Sequence, residues 1–214
     1  MKKNYKFKKW LGWLAAILFS ASCLVLSKGN TGTSEKEIAL VLKIIDDSND
    51  FWTAFIQGAE MAGKEYGLRI IVNGPNAETE YEEQGKMIEE AIVQEPDAIA
   101  LVPSNYTETV KYAKKIDEAG IPLVLVDSVM EEKMGSCVVA TDNVEAGRKM
   151  GKYIAENFQG ISSIGIVGHV KGVSTAIERE QGLREGLGTL NEKVAEIVFC
   201  DSDYWHGYDW ENRN

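Results

Sequence analysis

The sequence predicts an α/β fold, doubly wound, with parallel sheets and helices on both faces. Three observations carry this expectation. Short runs dense in Val, Ile and Leu recur between residues 37 and 199, and most are near-continuous rather than alternating, as strands covered on both faces must be. Amphipathic stretches of a dozen or more residues separate them, several ending at glycine or proline. Strand, helix and strand in regular succession make βα units, whose crossovers are right-handed.

The elements follow in order. Residues 37–45 (EIALVLKII) read as the first strand, and 51–66 as a helix with Phe55, Ala59, Ala62 and Tyr66 on one stripe and Gly67 as its stop. Strand 68–72 leads to helix 78–94, with Tyr81, Ile88, Ala91 and Ile92 inward. Strand 97–102 (DAIALV) leads to helix 106–119, ended by Gly120 and Pro122, and strand 121–126 (IPLVLV) follows. Helix 144–158 packs through Met150, Ile154 and Phe158, with Gly147 and Gly151 permitting close approach. Strand 162–167, helix 174–190 with Ala176, Leu183, Leu187 and Leu190 inward, and strand 194–199 complete the pattern; 204–214 reads as the start of another helix.

The N-terminus is of a different kind. Lys2, Lys3, Lys6, Lys8 and Lys9 precede an uncharged run from Trp10 to Leu26, the charge-then-apolar order of an export signal. The run could equally stay as a membrane anchor, and Cys23 after Ser20, Ala21 and Ser22 resembles a lipidation box, so cleaved lipoprotein and uncleaved anchor both stand. Either way the body is expected outside the cytoplasm, with residues 27–36 as a polar linker. The first 26 residues hold five lysines and no acid, so the remainder carries a net −15 against −10 for the whole chain. A body this acidic is a poor partner for nucleic acid.

The chemistry-bearing motifs are sparse. Cys23, Cys137 and Cys200 form no C-x-x-C pair and none lies near enough to the two histidines to make a metal clip, so neither a zinc site nor a disulfide framework is expected. His169 and His206 stand in glycine-bearing loop sequence and read as surface loop residues. Neither phosphate-cradling glycine motif follows a strand, so no cofactor is expected. Ser174, one residue off a nucleophile-elbow pattern, reads as a helix N-cap, and no nucleophile–histidine pair points to an enzyme.

In parallel α/β sheets ligands bind beyond the carboxyl ends of the strands. There the sequence offers Asn49 with Phe51 and Trp52, whose aromatic faces could stack on the C–H face of a sugar or could simply staple the helix entry. Asp127 ends an apolar strand, as a cleft carboxylate or a turn former, and Arg179 edges an apolar helical stripe, facing the cleft or reaching solvent.

The segments IALVLKI, NDFW, GAEMAGKEYG, EEAIVQEPDAIALVPS, AGIPLVLVDS, TDNVEAGRKMGKYIA and STAIEREQG, in this order, resemble the type 1 periplasmic sugar-binding proteins, the ribose- and galactose-binding family. The resemblance implies two lobes, each a doubly wound parallel sheet, here residues 37–141 and 142–214, closing by hinge on a sugar. It implies a monomeric binding protein that hands the sugar to an ABC importer; a membrane sensor kinase or chemoreceptor is the alternative partner, and a lactose-repressor-type core the more distant one. It assigns ligand contacts to Asn49, Phe51, Trp52, Asp127 and Arg179, and hinge positions to Thr141, Asp142 and Asn143. Ser128 stands where ribose binders carry an arginine, and Val102 where some members place an asparagine, which leaves the particular sugar open. The family pattern runs roughly a hundred residues further, so the second lobe is expected to be incomplete here.

Overall fold

A computed structural model describes residues 35–202 of the chain. The export or anchor segment with Cys23, most of the linker, His206 and the helix start at 204–214 lie outside the described residues.

Within them, two parallel sheets account for the strands. Strands β1 (Lys36–Val41), β2 (Leu68–Asn73), β3 (Ala98–Leu101), β4 (Leu123–Val126) and β5 (Cys137–Val139) make a five-stranded sheet in the order β2-β1-β3-β4-β5. Strands β6 (Ile164–Gly168) and β7 (Val194–Phe199) make a second, two-stranded sheet, also parallel. Helices α1 (Asp50–Tyr66), α2 (Tyr81–Val93), α3 (Val110–Glu118), α4 (Asn143–Asn157) and α5 (Ser174–Leu187) connect them.

Alternation along β1 and β3 divides the core of the larger sheet into two layers. Ala39, Val41, Ile99 and Leu101 face α2 and α3 through Ile88, Ala91, Ala113 and Ile116. Leu40, Leu42 and Val102 face α1 through Trp52, Phe55, Ile56 and Ala59. Coverage on both faces is why these strands read as continuous apolar runs. The smaller sheet is less covered, and Val167 is exposed.

Local chemistry shifts several predicted boundaries. The first strand ends at Val41, not residue 45, because its neighbour β3 stops at Leu101; the chain then continues buried through Leu42 and Lys43. Helix α3 starts at Val110 rather than 106, since the Asn105 side chain takes the N–H groups of Thr107 and Glu108 and holds them in a turn. Strand β5 has only three residues, all exposed, too short to be distinguished by pattern. Helix α5 stops at Gly188, in positive φ, and residues 188–193 tighten into a 3₁₀ turn.

The predicted helix stripes need correction on two helices. Ala62 and Tyr66 are exposed, and Trp52 and Gly63 are the buried positions of α1. Met150 and Phe158 are exposed on α4, which buries Asn143, Gly147 and Gly151 instead. The reason is that α4 meets α5 backbone to backbone: an added Cβ at Gly147 would overlap the Arg179 carbonyl, and one at Gly182 the Val144 carbonyl. Leu187 and Ala176 of α5 are buried as expected.

Candidate functional site

The carboxyl ends of β1 and β4 bring a polar cluster together. Lys43, two residues past β1, is 3% exposed, and its Nζ lies 2.9 Å from Asp127 Oδ2 and donates to Ser128 Oγ at 2.8 Å. The Ser128 hydroxyl donates in turn to Asp127 Oδ2 at 2.9 Å, so lysine, serine and aspartate form a closed triangle. Burying an ammonium is unfavourable unless it is paired and hydrogen-bonded, and both conditions are met.

Asp127 occupies this position through an uncommon backbone state. Its φ is +62°, and the N–H of Ser128 bonds back to the Val126 carbonyl at 2.6 Å, a three-residue turn straight off the strand. Aspartate tolerates the left-handed region better than most residues. It is therefore the turn residue that the sequence allowed, and the turn holds its carboxylate against Lys43 at the carboxyl end of β4.

The two rings divide their roles. Trp52 is 3% exposed, packed against Leu40, Leu42 and Val102, with Lys43 Nζ 5.7 Å from its ring centroid. Phe51 is 54% exposed and meets Trp52 edge to face at 4.9 Å, so Phe51 is the ring with a face to offer. Asn49 is the N-cap of α1, its Oδ1 accepting from the Phe51 N–H at 3.0 Å.

Three polar residues that sequence reasoning passed over, Gln84, Ser104 and Glu78, lie beside this cluster, and a fourth, Lys43, is part of it. Gln84 of α2 is fully buried; its amide donates to the carbonyls of Leu42 (2.9 Å) and Val102 (2.8 Å), and its Oε1 accepts from the Ser104 backbone (3.1 Å) and hydroxyl (2.7 Å). It thereby stitches the ends of β1 and β3. Glu78 is buried ahead of α2, and burial raises its pKa above the ordinary carboxylate value, with the Lys43 charge opposing. A lysine inside an apolar run was the one signal that could have found Lys43; Glu78 stands among other acids, with nothing to mark it.

From the smaller sheet, His169 follows β6, and its Nε2 shares a hydrogen bond with Thr175 Oγ1 at 2.9 Å. It is not the surface loop residue its sequence context suggests. Burial, then the charges of Lys43 and Arg179, lower its pKa to about 4, with Asp127 opposing, so the ring is neutral at neutral pH. Arg179 of α5 is exposed, and its Nε donates to Asn143 Oδ1 at 2.8 Å. Arg179 and His169 both line a cavity of about 450 Å³ with Gly168, Ala176, Phe199 and Cys200.

Ser174 also departs from expectation. Val173 is the N-cap of α5, and Ser174 Oγ instead accepts the Val129 N–H at 2.8 Å, joining the turn after β4 to the start of α5. Tyr106 N–H to Gly172 O, at 2.8 Å, is a second link between the two sheets' loops. Thr141, Asp142 and Asn143 lie in the connection from β5 to α4: Asp142 caps α4 through the Glu145 N–H, while buried Asn143 bonds Thr141 O, Glu178 and Arg179.

Among curated relatives, the chain is 30% identical over 195 residues to the D-ribose/D-allose-binding protein of Pseudomonas aeruginosa, covering 86% of this chain and 60% of that protein. It is 24% identical over 178 residues to the ribose import binding protein of Bacillus subtilis, covering 83% of this chain and 57% of that one. The chain thus spans about 60% of the length of these relatives. Among solved structures, a sugar transporter from Clostridium phytofermentans superposes with a TM-score of 0.80 at 38% identity, over 82% of this chain and 65% of that one. An ABC transporter solute-binding protein from Agrobacterium vitis with bound D-fucose gives 0.72 at 28% identity, over 83% and 62%. The fold is that of the type 1 periplasmic binding proteins. Residues 38–212 match the family described as periplasmic binding protein domain, and the chain belongs to that family.

Proposed function

We infer that the protein binds a sugar outside the cytoplasm and delivers it to an ABC importer, without chemistry of its own. The observation that carries the reading is the closed Lys43–Ser128–Asp127 triangle beside the exposed Phe51 ring, at the strand ends where parallel sheets receive ligands. It suits a polyhydroxyl ligand: an aspartate oxygen to accept hydroxyl protons, an ammonium and a guanidinium to donate, and an aromatic face for the C–H side of the ring. The names of the relatives, binders of ribose, allose and fucose, support the same ligand class.

In this reading Asn49, Phe51, Trp52, Asp127, Ser128 and Arg179 serve the ligand site, and Thr141, Asp142 and Asn143 the hinge. The lysine-rich apolar N-terminus, with or without lipidation at Cys23, holds the protein at the extracytoplasmic face of the membrane. Calorimetric titration of the chain with D-ribose, D-allose and D-fucose tests the ligand class: saturable binding that Asp127→Ala weakens is the expected result, and no binding of any of the three overturns it.

A further inference from the structure

Glu78 is a buried carboxyl to which the site described above gives no task. It is 6% exposed, and its Oε2 has no hydrogen-bond partner among the described residues. Burial and the Asp127 charge oppose the ionised form of the carboxyl, while the Lys43 charge and the side chains of Ser202 and Trp52 favour it. Buried polar atoms are almost always paired, because leaving one without a partner forfeits the hydration it had in the unfolded chain. An unpartnered carboxyl oxygen that feels the charges of both Lys43 and Asp127 is one that a ligand hydroxyl arriving at the carboxyl ends of β1 and β4 would satisfy.

We propose that Oε2 of Glu78 accepts a hydroxyl proton from the bound ligand, making Glu78 a specificity-determining contact for an uncharged polyhydroxyl ligand. The inference rests on the sugar-binding reading and adds a contact to it. Two carboxyls, Asp127 and Glu78, then share the field of one ammonium, so that wall of the cleft favours hydroxyl donors and disfavours a ligand carboxylate. Burial raises the Glu78 pKa, and Lys43 opposes the rise. The ionised carboxyl is the stronger acceptor, and protonation weakens or removes the acceptor at Oε2, so affinity falls as pH drops through its titration.

The test is calorimetric titration of the full chain with D-ribose and D-allose from pH 8 to pH 5, for the parent, Glu78→Leu and Glu78→Gln. Glu78→Leu, which keeps the volume and removes the acceptor, is expected to weaken binding by about 10- to 100-fold, the range for a hydrogen bond to a charged group. Glu78→Gln keeps a carbonyl acceptor and removes the titration, so it binds with a flatter pH profile than the parent. Binding by Glu78→Leu as tight as the parent's, or a parental pH profile in Glu78→Gln, overturns the inference while leaving the sugar-binding reading standing. If Glu78→Leu does not fold, the pH profile of Glu78→Gln decides. A parent that binds neither sugar overturns both together.

Discussion

Replacing Gln84 by leucine isolates what holds the floor of the site. The amide sits with no solvent exposure between the ends of β1 and β3 and makes four hydrogen bonds, to Leu42 O, Val102 O, Ser104 N and Ser104 Oγ. Leucine fills nearly the same volume, so no cavity term enters. The Ser104 hydroxyl can rotate to another partner, but two carbonyls and one amide are left buried and unpaired, at about 1–3 kcal/mol each before relaxation. A total near 4 kcal/mol follows, in the range reserved for the loss of a buried network. Urea denaturation measures it as a shift in midpoint at constant slope. A loss below about 1 kcal/mol would refute the reasoning, since it would mean that water or a backbone shift replaces the amide without penalty. Gln84→Glu sharpens the test: a carboxylate facing two carbonyls is destabilised at neutral pH, so this variant should regain stability on acidification.

Other perturbations have equally definite outcomes. Gly182→Ala forces a methyl group into the Val144 carbonyl and should loosen α4 from α5, at about 3 kcal/mol or more, visible as lost hydrogen-exchange protection in both helices. Gly58→Ala, where an added Cβ meets nothing within 4 Å in the middle of α1, should instead stabilise by about 0.5–1 kcal/mol in thermal melts. Lys43→Met leaves Asp127, 21% exposed, without its cation and should lower stability by about 2–3 kcal/mol, less than for a fully buried pair; Asp127→Asn in the same background should recover part of it. His169 titrates at about 4 when folded and near 6.5 when unfolded, so the stability of its neutral form is complete above pH 6.5 and is lost as pH falls from 6.5 towards 4. That contribution is about 2 kcal/mol after allowing for solvent screening, and His169→Gln should flatten the melting temperature across this window.

The strands of the larger sheet were legible because they are covered on both faces, which leaves short continuous apolar runs between amphipathic helices. Strand β5 was not, because three exposed residues carry no pattern and owe their place to pairing with β4. The same divide separates the site residues. Asp127 stood out as an acid closing an apolar strand, and Phe51 and Trp52 as adjacent aromatics after one. Gln84 and Glu78 did not, since the burial of one on α2 and of the other just ahead of it arises from tertiary packing in a stretch dense in acids. Ser174 looked like a cap and is a bridge to Val129, a partner 45 residues away that no local rule could supply.

The glycine contacts between α4 and α5 have a mechanical consequence. Gly147 and Gly151 on one helix and Gly182 and Gly186 on the other bring the two backbones together with no side chains between them to deform. Side chains in a seam act as springs, taking up part of any movement by changing rotamer; here there is nothing to take it up. Helix α4 begins at the connection through Thr141 and Asp142, and Asn143 ties that connection to Arg179 on α5. Any rotation about the connection is therefore carried to Arg179 as by a rigid lever, without slack. Substitutions at Gly151 would introduce play into that lever, and in the sugar-binding reading proposed above would blunt ligand capture without altering the triangle around Lys43.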